Sequence, residues 1–260
     1  MNPVARRHAA NMLNKVPEVS VLFWIIKIMS TTVGETGADY LAVHVGLGTA
    51  VTGAITLALL LVALVLQVRA KAYVPWIYWL SVVLISVVGT QITDALTDGL
   101  GVSLYLSTAV FSVALAATFF IWHRLEGTLS IHAITTRRRE LFYWLAILFT
   151  FALGTAAGDL ATEALGLGFK VGVVVFGLLI VAVTTAWYVG VNAVLAFWVA
   201  YILTRPLGAS LGDLLSQAQD YGGLGWGTVN TSIVFLAVIL ALVSWLSLQA
   251  RRSPATPAHF

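Results

Sequence analysis

Four aspartates, Asp39, Asp94, Asp159 and Asp213, carry the chemistry that this sequence offers. Each stands five residues after a glycine (Gly34, Gly89, Gly154, Gly208) and fifteen after a tryptophan (Trp24, Trp79, Trp144, Trp198), and an aromatic residue precedes each tryptophan. The chain holds nine Trp and six Asp, so four matches in one frame mark an internal repeat. Carboxylates brought to a common depth attract cations. With oxygen ligands alone they suit a hard cation such as Mn, Mg or Ca, or they share protons because crowded carboxylates cannot all ionise together. The four Asp are therefore the candidate metal ligands, with the ion undetermined. Glu35, Asp98 and Glu163 each lie four residues from a motif Asp, hence on nearly the same helical face. The competing reading is that these acids only cap the outer helix ends and turns.

Two basic residues break the repeat. Lys27 heads a polar stripe with Thr31, Glu35 and Asp39 at successive spacings of four, and Arg205-Pro206 places a charge and a kink within the fourth copy. Charges at membrane depth persist only when they face the protein interior, water or a partner. Lys27 and Arg205 are thus either structural ion-pair partners of the acids or built-in counter-ions that a transported cation or proton displaces. The tryptophans read either as an interfacial belt, like Trp122, Trp187 and Trp245 at the ends of the intervening helices, or as packing around an axis. The motif glycines read as sites of close helix contact or as helix breaks. Of the five His, only His44 falls near the acidic end.

The elements that position these residues follow from composition. The 260 residues are 60% hydrophobic and 10% charged, with mean hydropathy +0.95, which is the signature of an integral membrane protein. No cysteine is present, which excludes disulfides and zinc-thiolate chemistry, and three Met give no soft-metal path. Apolar runs long enough to cross the ~30 Å hydrocarbon layer recur between polar loops. They predict an all-α fold of eight transmembrane helices arranged as four hairpins, each an odd helix bearing the motif and an even helix opened by a Gly-X-Gly turn. The tandem repeats run parallel to one another, with pseudo-symmetry about the membrane normal. The expected organisation is a single transmembrane domain over 1–253, with repeats at about 16–69, 70–124, 135–189 and 190–250. A disordered tail, 254–260, is too polar and Pro-rich to fold.

Eleven of the 14 Lys and Arg, among them Arg6, Arg7, Lys15, Arg69, Arg124, Arg137, Arg138 and Arg139, fall on one side. That side is expected to be cytoplasmic, with both termini in and no cleavable signal peptide. Eight of the 11 acids fall on the other side. No phosphate loop, HExxH or GxSxG is present, so no enzyme activity, cofactor or nucleic-acid partner is implied.

The stretches KVPEVSVLFWIIKIMSTTVGETGAD, YWLSVVLISVVGTQITD, YWLAILFTFALGTAAGD and FWVAYILTRPLGASLGD resemble a family of bacterial membrane proteins built from four tandem copies of the two-helix DUF347 repeat of unknown function. The resemblance implies the fold and the inner (plasma) membrane and is silent on chemistry. Taken with the acids, the leading expectation is a transporter or exporter of a hard cation, a divalent metal or a proton-coupled ion. The alternative is a non-transporting membrane scaffold or accessory protein.

Overall fold

The structure, a computed structural model, describes residues 14–43 and 46–252. The lead-in before residue 14, His44 and the 254–260 tail lie outside these residues. Among the described residues the chain forms eight long helices and no strand. They are α1 (Val21–Val43), α2 (Thr49–Arg69), α3 (Pro75–Asp94), α4 (Leu104–Glu126), α5 (Arg137–Asp159), α6 (Gly168–Tyr188), α7 (Ala193–Ser216) and α8 (Thr228–Arg252). Seven are long and apolar enough to cross a membrane. The eighth, α1, has a comparable 23 residues, but the stripe from Lys27 to Asp39 makes it less apolar. It packs against α3, α7 and α8.

Local chemistry sets the ends. Pro75 occupies the first turn of α3, where its missing N–H costs nothing. The Ser103, Thr136 and Asn192 side chains accept backbone N–H groups at the starts of α4, α5 and α7. Gly46 and Gly48, Gly166 and Gly168, and Gly225 and Gly227 all adopt positive φ, which only glycine tolerates without strain. These are the Gly-X-Gly turns expected before the even helices. After Asp94 and Asp159 the helix widens into a π turn, Ala95–Gly99 and Leu160–Ala164.

The four motif helices form a closed ring: α1 packs on α3, α3 on α5, α5 on α7, and α7 back on α1. The even helices lie outside, where they bury only 11–22% of their apolar windows against 56–67% for α3, α5 and α7. Their leucines and valines therefore face lipid. The expectation of four self-packed hairpins is corrected here. Each outer helix packs chiefly on the inner helix of the following copy: α2 on α3, α4 on α5, α6 on α7, and α8 on α1. The motif glycines explain why. With no Cβ at these positions the inner helices approach their neighbours too closely for a hairpin partner to intervene, and the outer helix settles in the groove between consecutive copies.

A methyl group at Gly34 would lie 2.6 Å from Ser86 Cβ, at Gly89 2.7 Å from Phe151 Cβ, at Gly154 2.5 Å from Arg205 Cβ, and at Gly208 2.5 Å from Thr31 Cβ. In every case the neighbour is the residue three before the next copy's glycine, and the fourth contact returns to the first copy. The helices run unbroken through all four positions, so close contact, not helix breaking, is what these glycines serve. Pro206 likewise sits inside a continuous α7 and packs over Gly154 and Gly158 of α5.

Replacing Gly34 with Val is expected to lower stability by ~1–3 kcal/mol through overpacking. Gly177→Ala, at a position with open space around it, should be neutral or slightly stabilising. Thermal unfolding of the two purified variants in one detergent distinguishes them.

Candidate functional site

The ring stacks its side chains in layers along the axis. Nearest the basic loops, each aromatic residue before a motif Trp meets the Trp of the next copy. Ring centroids are 5.6 Å apart for Phe23–Trp79, 5.5 Å for Tyr78–Trp144, 6.2 Å for Tyr143–Trp198 and 5.6 Å for Phe197–Trp24. The Tyr78 and Tyr143 hydroxyls share a 2.6 Å hydrogen bond. Trp79, Trp144 and Trp198 are buried and Trp24 is half-buried, so the motif tryptophans pack the axis. A belt role fits Trp187 and Trp245, both about half exposed, but not Trp122, which is fully buried. Outside the aromatic layer, at the same end, Lys15 Nζ donates to Glu140 Oε2 at 2.7 Å and to the Val68 carbonyl at 2.9 Å. Gln67 Nε2 donates to Glu140 Oε1 at 3.3 Å.

The next layer contains Lys27, 1% exposed. Its Nζ lies 4.1 Å from the Phe151 ring centroid and 4.3 Å from that of Tyr201, and it has no hydrogen-bond partner among the described residues. Of the two readings of Lys27, the structural ion pair finds no acid partner among the described residues. The aromatic faces take that place, and a ring quadrupole attracts a desolvated ammonium by ~2 kcal/mol.

Arg205 behaves differently. Fully buried, its guanidinium is bound by all three other copies. Nη2 donates to Glu35 Oε2 at 2.6 Å, to Thr155 Oγ1 at 2.8 Å and to Thr90 Oγ1. Nε donates to Thr155 Oγ1 at 3.1 Å, and Nη1 to the Thr31 carbonyl at 3.0 Å. Glu35, Thr90 and Thr155 all occupy the position after the motif glycine; the fourth copy has Ala209 there. The two threonines were not singled out from the sequence. Aligning that one column, Glu-Thr-Thr-Ala, would have shown an inward polar layer with one gap, which Arg205 fills from one turn below.

Beyond this layer a cavity of about 1160 Å³ opens at the acidic end. All four motif Asp line it, with Glu35, Asp98 and Glu163. Seven carboxylates thus converge on one space. Asp98 and Glu163 are exposed, Asp39, Asp94 and Asp159 half-buried, and Asp213 only 8% exposed. The site expected from the sequence is brought together except for Lys27, which lies beneath it outside the lining. Among the described residues no three His, Asp or Glu are grouped closely enough to hold a metal ion in this arrangement.

Four two-helix copies closed into a ring, seven of their eight helices able to span a bilayer, define a multi-pass repeat membrane protein. Residues 22–73, 77–128, 142–190 and 196–252 match the Repeat of Unknown Function (DUF347), and the chain belongs to that family. No curated protein and no solved structure matches it significantly.

Removing one partner of a buried ion pair leaves the other charge uncompensated, at ~3–5 kcal/mol. Arg205→Met alone is therefore expected to destabilise more than the Arg205→Met/Glu35→Gln double variant. A double-mutant cycle on unfolding measures the difference, and additivity would show that the pair is not coupled.

Proposed function

We propose that this protein is a membrane carrier for a cation rather than an enzyme, lying in the bacterial inner membrane with its basic loops and both termini on the cytoplasmic side. The observation that carries the reading is the single cavity lined by seven carboxylates, whose base is the Glu35–Arg205 pair. Each carboxylate at membrane depth costs ~2.5–3.5 kcal/mol on insertion scales. A bundle that needed only to hold together would have little reason to retain them. Grouped in a low-dielectric funnel they concentrate cations from the facing compartment. Closure of the opposite half by the aromatic layer and the Lys15–Glu140 clasp supports access from the acidic side alone in this conformation. Transport then requires those contacts to part while Arg205 releases or shifts Glu35. A hard cation entering here would keep most of its water, since among the described residues no three His, Asp or Glu are grouped to replace it.

In proteoliposomes, wild-type protein should carry a cation flux that falls severalfold in Asp39→Asn and Asp94→Asn. Flux of no cation, or flux indifferent to both changes, leaves a scaffold as the reading. The absence of cysteine makes topology directly measurable. A single Cys at exposed Asp220 should be labelled by an impermeant maleimide from outside the cell, and one at exposed Lys71 only after the membrane is opened; the reverse pattern refutes the assigned orientation.

A further inference from the structure

We infer that the ligand of the acidic cavity is an elongated organic polycation, with amine or guanidinium groups spaced along an apolar chain, whose leading cationic group binds between Glu35 and Asp213. The inference rests on the cation-carrier reading and names its substrate class.

Asp213 provides the observation independent of mere acidity. It is more than nine-tenths buried, it lines the cavity, and its carboxylate has no hydrogen-bond or ion-pair partner among the described residues, although its backbone carbonyl accepts from the Gln217 N–H. A carboxylate held this deep, open only toward the cavity, has no protein partner to offset its desolvation. Gly212, the residue before it, packs on Glu35 across the α1–α7 contact, where a methyl group would come within 3.3 Å of Glu35 Cβ, and Glu35 and Asp213 are the most buried of the seven acids, at 6% and 8% exposed. Glu35 gives Oε2 to Arg205 and also lines the cavity. The two carboxylates thus form the deep end of the cavity, and Arg205 is already seated against one of them. That layer binds a guanidinium group now, through a carboxylate, two threonine hydroxyls and a carbonyl, so organic cation geometry is what its acceptors fit.

The rest of the cavity argues against a small ion. A hexahydrated divalent cation occupies on the order of 200 Å³, at ~30 Å³ per water, whereas this space is about 1160 Å³. Besides the carboxylates the wall is mixed: Leu57, Ile92, Leu104 and Phe169 give it apolar stretches, and Thr52, Gln91, Thr97 and Gln217 give it polar ones. An inorganic ion gains nothing from the apolar stretches, but methylene groups do. The acids also stand at successive depths: Asp98 and Glu163 lie four residues beyond Asp94 and Asp159, in the π turns, so an inner and an outer set of carboxylates suits amino groups joined by a short methylene chain.

Binding to the purified full chain in detergent, at constant ionic strength, tests this. Spermidine and agmatine are expected to bind by calorimetry, and MgCl₂ and MnCl₂ not to compete at equal concentration. Asp213→Asn should weaken spermidine at least about tenfold, the loss of one charge-assisted contact. The exposed rim variant Asp98→Asn should weaken spermidine, whose chain spans both sets, more than it weakens methylammonium, which covers the same point without depending on the folding of the Asp213 variant. Binding of Mn²⁺ or Mg²⁺ that displaces spermidine overturns the organic class and leaves the cation carrier standing. Absence of binding by any of these cations overturns both.

Discussion

The close approach of the inner helices at Gly34, Gly89, Gly154 and Gly208 is the constraint on which the rest of the molecule depends. In lipid, apolar side chains gain nothing by leaving one apolar surface for another, so helices associate through packing at small residues. Here each glycine accepts the residue three positions before the next copy's glycine. One rule applied four times turns a tandem array into a closed ring. Because it fixes the rotation of each inner helix, it also decides what points at the axis: the aromatic pair at one end, the residue after the glycine at mid-depth, and the Asp at the other end.

Ring closure brings the first and last copies together, and these are the two that depart from the repeat. Thr31 and Glu35 of α1 meet Arg205 of α7 across the seam. Thr90 and Thr155 complete the guanidinium's shell from the two unmodified copies. The buried charges are handled by two different devices a short distance apart. Arg205 has five donors in a planar fork, and so needs oxygen acceptors on several sides. Lys27 instead sets its compact amino group against the faces of Phe151 and Tyr201. A strictly fourfold chain could supply neither arrangement, since four arginines or four lysines at one depth would repel.

Packing each outer helix on the following copy also means that no repeat is a folding unit on its own. α8 covers α1 in the way that α2 covers α3, so the last repeat closes over the first and the array needs no separate capping repeat. The hairpins expected from the chain order were wrong in this respect. Short Gly-X-Gly turns restrict where the next helix starts, but they do not select which neighbour it packs on; the width left between the glycine-paired inner helices does.

The sequence by itself determined the class, the eight helices, the repeat, the glycine turns and the convergence of the acids. These follow from periodicity and spacing, and along a helix spacing is geometry. It left open whether the tryptophans faced lipid or the axis, because burial depends on neighbours that a linear pattern does not name. It also left Lys27 and Arg205 with interchangeable roles, since both are cations at membrane depth. Only the tertiary structure assigned Arg205 to Glu35 and Lys27 to two aromatic faces. The repeat brought the four carboxylates to one cavity at the acidic end of the ring; their distance across it was set by ring diameter, which the glycine contacts control and no residue spacing along the chain encodes.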